Sequence, residues 1–260
     1  MKDSIPLFTF PADIRLQADT SKALPALAES VKKALTPRDI QRVEKRAASI
    51  AERHKEKREL REQNAAAASN QMPIAPEWLA YCINQAIDPE TIVLDETVTN
   101  TPLVSASLSR SQPGTMFTSG GSSLGWALGA GLGCKLAAPE RTVVVLVGDG
   151  AFLYGCPTSA IWAAQTQEAP FLTVIFNNQM HYATKRSWVG AYPEGVGQRT
   201  GEFVGVNLTP SPDYALLAQA CHAYGEVVED PAEVPSALQR ALEAVNAGQA
   251  AVLDVRIQRP

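Results

Sequence analysis

Two successive buried-strand patterns, each ended by a polar turn, constrain the fold of this chain most. The apolar, β-branched run Val143–Val147 predicts a strand buried on both faces, and a Gly-Asp-Gly turn at 148–150 ends it. A second apolar run, Phe171–Phe176, ends in an Asn-Asn pair at 177–178 after an intervening helical pattern. If the two strands are parallel neighbours, both polar turns lie at the same edge of one sheet.

The side chains at that edge indicate a metal-bound anion. Asp149 and Asn178 supply hard oxygen ligands, and the flanking glycines let the backbone N–H groups approach a ligand. This combination suits a Mg²⁺ ion that holds a diphosphate. A strand–turn–helix unit in which Asp149 only caps the helix explains the first turn, but not why the next strand also ends in two asparagines.

Four segments of this sequence resemble thiamine-diphosphate-dependent enzymes. They are L-D-E-T-V-T-N-T at 94–101, L-G-W-A-L-G-A-G-L-G at 124–133, A-A-P-E-R-T-V-V at 137–144 and G-D-G-A-F at 148–152. The resemblance extends from about residue 74 to 257 and is nearest to the benzoylformate decarboxylase and acetolactate synthase group. It implies thiamine diphosphate and Mg²⁺ as cofactors.

The regular alternation of helix and strand patterns after residue 72 predicts the fold class. We expect an α/β domain over residues 73–260, with a doubly wound, mostly parallel sheet and helices on both faces. The further elements predicted are a helix from Pro76, a strand Ile92–Leu94, helices Leu124–Ala137, Tyr214–Ala223 and Pro235–Val245, and a strand Ala251–Ile257. Gly125, Gly129 and Gly133 are predicted to share a close-packing helix face.

The first 72 residues are predicted to form two smaller segments. Residues 1–35 resemble the end of that group's central, cofactor-free domain, with an extended stretch Pro6–Ala18 and a helix capped by Asp19 or Thr20. Residues 36–72 are predicted to be a charged helical connector that Thr36-Pro37 opens and that a linker, Asn64–Gln71, closes.

Composition narrows the class of protein. A net charge of −4 argues against a nucleic-acid partner, and interrupted apolar runs argue against a membrane span. The start of the sequence has no apolar signal-peptide region, so we expect a cytoplasmic protein. The widely spaced cysteines predict reduced core thiols rather than disulfides: Cys82, Cys134, Cys156 and Cys221.

Two further polar loops are expected to lie at the same edge of the sheet as the Gly-Asp-Gly and Asn-Asn turns. The first contains Glu96, Thr97, Thr99 and Asn100, whose hydroxyls and N–H groups suit phosphate oxygens; helix capping by the threonines is the alternative. In the second, the resemblance implies that Ser122 contacts the pyrimidine through its carbonyl. It also implies that Leu124 wedges under the cofactor to impose its bent shape. Ser123 lies between them, and capping of a helix by either serine is again the alternative.

For the Gly-Asp-Gly and Asn-Asn turns, the resemblance implies a complete ligand set. Asp149 and Asn178 coordinate Mg²⁺ through their side chains, and Met180 coordinates it through its carbonyl. Backbone groups at the start of the following helix contact the diphosphate: Gly148, Gly150, Ala151 and Phe152. His181 is a candidate acid–base group, with a surface or cofactor-stacking histidine as the alternative.

The resemblance also implies a partner. Related enzymes activate the cofactor with a glutamate on a separate pyrimidine-binding domain, and no stretch of this sequence resembles that domain. We therefore expect a second polypeptide to supply it, in a dimer of heterodimers. The predicted reaction cleaves or forms a C–C bond next to a carbonyl of a 2-oxo acid or an acyl-CoA, by decarboxylation, carboligation or lyase chemistry. A non-catalytic regulatory subunit that retains the fold is the alternative.

Overall fold

A computed structural model of the chain describes residues 13–121 and 123–260. The chain divides into two compact units, Met1–Glu56 and Lys57–Pro260. The three-part division at residues 35/36 and 72/73 stays a prediction. Most of the predicted extended stretch Pro6–Ala18 and the predicted contact of Ser122 lie outside the described residues.

Two helices begin in the first unit, and both start where the sequence predicts. Helix α1 (Thr20–Ala34) has Asp19 as its N-cap, whose carboxylate accepts a backbone N–H of the first turn at 2.8 Å. Helix α2 (Pro37–Ala67) begins with a reciprocal cap. The Thr36 backbone N–H donates to the Asp39 carboxylate at 3.2 Å, and the Asp39 N–H donates to the Thr36 hydroxyl at 3.3 Å.

The predicted linker Asn64–Gln71 is wrong over its first four residues, because α2 continues through Ala67. Ala65 and Ala68 are buried in the second unit, where the small alanine side chain allows close packing. Alanine also has the highest helix propensity, so this alanine-rich stretch extends the helix.

The second unit contains one six-stranded parallel sheet. In the described residues its strands are β1 (Ile92–Glu96), β2 (Met116–Thr118), β3 (Val143–Gly148), β4 (Leu172–Asn177), β5 (Tyr224–Val228) and β6 (Ala251–Arg256). Their order across the sheet is β2-β1-β3-β4-β6-β5, and every neighbouring pair is parallel. The predicted adjacency of β3 and β4 is confirmed, and the sheet is wholly rather than mostly parallel.

Helices cover both faces of this sheet. In the described residues, the helices after α2 are α3 (Pro76–Ala86), α4 (Thr101–Ser107), α5 (Trp126–Ala137), α6 (Asp149–Tyr154), α7 (Pro157–Thr166), α8 (Tyr182–Ala191), α9 (Val196–Thr200), α10 (Tyr214–Ala220) and α11 (Val234–Asn246). The faces are covered by all of these except α8 and α9, which have no buried residues. Val144 and Leu146 of β3 pack in a core with α3, α4 and α11. Val143, Val145 and Val147 pack in a second core with α5, α6, α7 and α10. The doubly wound α/β fold is therefore confirmed.

The prediction of a close-packing glycine face on α5 is wrong at Gly129 and Gly133. Gly129 and Gly133 are exposed, and Gly125 precedes the helix as its N-cap. Gly131 makes the close contact instead, because a Cβ there would lie 2.6 Å from a methyl carbon of Val145 on the sheet. The buried face of the helix is set by Ala127, Leu128 and Gly131, which follow helical spacing.

The cysteines are only partly the core residues that were predicted. Cys82 and Cys221 are buried, Cys134 is half-buried, and Cys156 is exposed at the N-cap of α7. All four are free thiols. Among the described residues, none of the helices has the length and apolar character needed to cross a membrane.

Candidate functional site

The predicted site lies where the chain changes direction across the sheet. Strand β1 connects through α4 to β2 on one side, whereas β3 connects through α6 and α7 to β4 on the other. The crevice between β1 and β3 at the carboxyl ends of the strands is the usual ligand site of open parallel sheets. The structure shows a cleft at this position, formed by the loops after β1, β3 and β4.

Most of the predicted site residues line this one cleft. They are Thr97, Thr99, Asn100, Leu124, Gly148, Asp149, Gly150, Ala151, Asn178, Met180 and His181. Three predicted residues do not line it: Glu96, Ser123 and Phe152. Phe152 is wholly buried and packs edge-on against Tyr214 at 5.2 Å between ring centroids, so its side chain belongs to the core.

Asp149 is the most chemically distinctive residue of the cleft. It is the first residue of α6 and only 2 % exposed. Burial raises the pKa of this carboxyl to about 6, although backbone N–H groups oppose the shift, and nearby Asp254 raises it further. Its Oδ2 atom is buried with no hydrogen-bond partner in residues 13–121 and 123–260. A buried carboxylate oxygen without a partner is costly unless a ligand such as a cation satisfies it.

The loop after β4 folds back on itself at the same edge. Asn178 is 5 % exposed, and its side-chain oxygen accepts a hydrogen bond from the Met180 backbone N–H at 3.0 Å. Between them, Gln179 has the left-handed φ of 58°. Met180 is buried and pairs through its backbone with Asn207. The amide oxygen of Asn178 retains a second lone pair for a metal ligand.

Residues from the end of the chain hold this loop, and the sequence analysis missed them. The Asn177 amide donates to Asp254 of β6 at 2.7 Å and accepts from the Gln179 N–H at 3.1 Å. Arg259 donates to the Asn178 carbonyl at 3.2 Å. Asp254 is fully buried in β6, and a charged residue within the otherwise apolar run Ala251–Val255 was the available sequence signal.

The loop after β1 is stiffened by its own side chains. Asp95 accepts hydrogen bonds from the Thr97 N–H at 2.9 Å and from the Thr97 hydroxyl at 2.7 Å. The donor of this hydroxyl is therefore used within the loop. Val98 follows with a left-handed φ of 55°, and Thr99 and Asn100 then reach the cleft.

The carboxylate of Glu96 caps a helix. One oxygen accepts from the Gly125 N–H at 2.6 Å and from the Trp126 N–H at 3.4 Å, and the other accepts from the Ala127 N–H at 2.9 Å. These N–H groups belong to the first turn of α5, which has no side-chain cap of its own. Both carboxylate oxygens are therefore used in capping, and the phosphate contacts predicted for the hydroxyls and backbone N–H groups of this loop stay a prediction.

Leu124 lies directly before this capped turn. It lines the cleft, and 36 % of its surface is exposed. Gly125 has φ of 93°, and a Cβ there would overlap the Tyr154 carbonyl. The turn that carries Leu124 is therefore restricted to glycine at position 125.

His181 packs inside the cleft against the Gly-Asp-Gly turn. A Cβ at Gly150 would overlap its imidazole, and its ring meets that of Tyr154 edge-on at 6.1 Å between centroids. Its backbone N–H donates to the Val206 carbonyl at 2.8 Å. Burial lowers the pKa of the imidazole, which favours its neutral form. The residue is half-buried, and an acid–base, a stacking or a surface role stays a prediction.

Comparison with known families agrees with this geometry. Residues 97–255 match the family described as "Thiamine pyrophosphate enzyme, C-terminal TPP binding domain". A probable 2-ketoarginine decarboxylase of Pseudomonas aeruginosa is 32 % identical over 52 % of this chain. A sulfoacetaldehyde acetyltransferase of Rhodobacter capsulatus is 30 % identical over 72 % of it.

A solved structure shares the fold. The thiamine diphosphate-dependent 4-hydroxybenzoylformate decarboxylase of Rhodococcus jostii RHA1 superposes on 73 % of this chain with a TM-score of 0.63 and 24 % identity. The matched region spans 34 % of that chain, and 22 % and 30 % of the two curated relatives. The matched part of this chain therefore corresponds to about a third or less of the length of the proteins it resembles.

Proposed function

The chain belongs to the thiamine pyrophosphate enzymes that carry the C-terminal TPP-binding domain, and on this premise we propose that it holds thiamine diphosphate through Mg²⁺ in the cleft between β1 and β3. One observation carries the proposal. Asp149 places a buried carboxylate oxygen, without a partner in the described part of the chain, at the switch point of the sheet. A divalent cation satisfies that oxygen and lowers the pKa of the carboxyl.

Each loop of the cleft has a defined task in this proposal. Asp149 and Asn178 bind the Mg²⁺ through side-chain oxygens, and Met180 binds it through its carbonyl. Backbone N–H groups of Gly150 and Ala151 hold the diphosphate. Leu124, which also lines the cleft, would support the ring portion of the cofactor. When bound, thiamine diphosphate supplies the stabilisation of carbanion character that C–C bond chemistry next to a carbonyl requires.

We propose that the complete enzyme cleaves or forms a C–C bond adjacent to the carbonyl of a 2-oxo acid. The names of the similar proteins, a decarboxylase and an acetyltransferase, support this reaction class. His181, whose pKa is lowered by its partial burial, lies beside the diphosphate turn and is the candidate for proton transfer near the reacting carbonyl.

A partner polypeptide with a pyrimidine-binding domain completes the site in this proposal, and it supplies the glutamate. Among the described residues that line the cleft, the sole acidic one is Asp149. Glu96 is nearby, but its carboxylate is used by α5. Val98 and Leu124, which also line the cleft, are 43 % and 36 % exposed and so leave apolar surface for a partner to cover.

Calorimetric titration of thiamine diphosphate with and without Mg²⁺ tests the cofactor assignment. We expect Mg²⁺-dependent binding by the wild-type chain, and loss of that binding in Asp149→Ala and Asn178→Ala, since each removes a hard ligand. Asp88→Ala is the matched control, because Asp88 also accepts backbone N–H groups but precedes β1, at the opposite edge of the sheet. An unchanged affinity for thiamine diphosphate in both site variants would contradict the cofactor assignment.

A further inference from the structure

The capping carboxylate of Glu96 links two parts of the cleft that are separate in sequence. Glu96 ends β1 and pairs in register with Val147 of β3, so its backbone is fixed by the centre of the sheet. Its side chain reaches the first turn of α5, immediately after Leu124. A rigid strand end therefore holds the loop that supports the ring side of the cofactor.

The turn held by Glu96 has little support of its own. Its N-cap residue, Gly125, has no side chain with which to cap the helix, and the left-handed φ of 93° excludes most replacements. The first N–H groups of a helix need acceptors, and here one buried carboxylate satisfies three of them. Ala127 and Leu128 of this turn also pack in the core, but without that carboxylate the turn loses its hydrogen bonds to the end of β1, and Leu124, which precedes it, loses that restraint.

The carboxylate is also well suited to this task. Glu96 is only 5 % exposed, so water cannot readily replace it as the acceptor. A negative charge at a helix N-terminus is favoured by the helix dipole. The hydrogen bonds from the Gly125 and Ala127 N–H groups are short, at 2.6 and 2.9 Å, as expected for a charged acceptor.

We infer that Glu96 is a positioning residue of the cofactor site: it sets the place of Leu124 relative to the diphosphate cradle formed by Asp149 and Asn178. This inference rests on the proposed function. According to this inference, two sides of the site are held in place by different residues. The diphosphate side is held by the turns after β3 and β4, and the ring side is held through Glu96.

This division predicts that a change at Glu96 affects the binding of thiamine diphosphate but not that of inorganic diphosphate. Replacement of Glu96 loosens the ring side and leaves the diphosphate side in place. Glu96→Gln keeps the size of the side chain but loses the charge and one acceptor oxygen. Its affinity for thiamine diphosphate should fall about tenfold, which corresponds to the loss of one good charged hydrogen bond. Its affinity for inorganic diphosphate, measured with Mg²⁺, should stay within twofold of wild type.

The experiment is calorimetry of both ligands on the full chain, with amide hydrogen exchange as a second readout. In Glu96→Gln, exchange at residues 125–127 should accelerate while that of β3 does not change. Asp88→Asn is the control, because it weakens a comparable carboxylate acceptor and should leave the binding of both ligands unchanged. If Glu96→Gln does not fold, Glu96→Asp retains both oxygens on a shorter side chain and is tested in the same way.

The outcomes separate this inference from the proposed function. A wild-type chain that binds neither ligand overturns the proposed function and the inference with it. Wild-type binding combined with an equal loss of both ligands, or with no loss of either, overturns the positioning role alone. A selective loss of thiamine diphosphate affinity, with faster exchange confined to the turn before α5, is the result expected.

Discussion

The imidazole of His181 lies directly on Gly150, and no side chain fits between them. A Cβ built at position 150 would overlap two atoms of the ring. Gly150 belongs to the turn after β3, whereas His181 belongs to the loop after β4. The glycine of the Gly-Asp-Gly turn is thus required by a neighbouring loop as well as by its own proposed approach to a ligand.

This contact predicts that substitutions at the two positions are coupled. Gly150→Ala should displace the imidazole and cost about 1 kcal/mol of stability, because the obstructing atoms are at the end of a rotatable side chain. In a His181→Ala background, the same substitution should cost close to nothing. Urea unfolding of the two single variants and the double variant measures the coupling. Additive free energies of unfolding would contradict the contact.

Asp149 should make the metal-free chain less stable as the pH rises. Its folded pKa of about 6 lies above the ordinary aspartate value of 3.8, so folding favours the protonated carboxyl. The stabilising effect of protonation is complete below pH 3.8 and is lost as the pH rises through about 6. Between these two pH values the free energy of unfolding should fall by about 3 kcal/mol at most. Asp149→Asn should therefore raise the melting temperature at pH 7 and remove this pH dependence, as thermal unfolding at several pH values will show.

Leu124→Ala is expected to lower cofactor affinity about tenfold, as Glu96→Gln does, and to lower turnover by more than that. The proposed diphosphate contacts remain in this variant, but the support for the bent cofactor conformation is lost. Calorimetry and steady-state kinetics on the complete enzyme separate the two effects. A variant with full turnover would show that this half-exposed leucine has no role beyond packing.

Asp254 should stabilise the loop after β4 without contacting any ligand. Asp254→Ala removes the acceptor of the Asn177 amide and leaves Arg256, 3.0 Å away, without its counter-charge. Loss of one partner of a buried pair typically costs about 3 kcal/mol. Asp254→Asn preserves an acceptor oxygen and should cost less. Urea unfolding compares the two variants, and equal losses would show that the charge, not the hydrogen bond, matters.

The partner proposal predicts that the chain is inactive by itself. The described cleft offers no second free carboxylate for the proton relay, so turnover of 2-oxo acids should be negligible even when the cofactor is bound. Co-expression with a polypeptide that carries a pyrimidine-binding domain should restore activity. Assays of 2-oxo acids and 2-hydroxyacyl-CoA with the isolated and the paired chain test this. Robust turnover by the isolated chain would refute the proposal.

The sequence by itself determined the type of fold and the place of the site. Strands β3 and β4 were predictable because a run of apolar β-branched residues and a polar turn are local signals, readable within a few residues. Parallel neighbours bring their carboxyl ends to one edge, so Asp149 and Asn178 could be assigned to one cleft. The edge strands β2 and β5 were missed because one is three residues long and the other is only partly buried.

The tertiary structure decided which partner each polar group has. Glu96 binds N–H groups beginning 29 residues later in the chain, and Asn177 binds Asp254, 77 residues later. Likewise, only the packing of α5 on the sheet shows that Gly131, and not Gly129, needs to be small. Such contacts depend on the order of strands and on the angle at which helices lie across them. The strand order and the helix angles cannot be read from a local pattern of residues, because both depend on how all elements together bury the core.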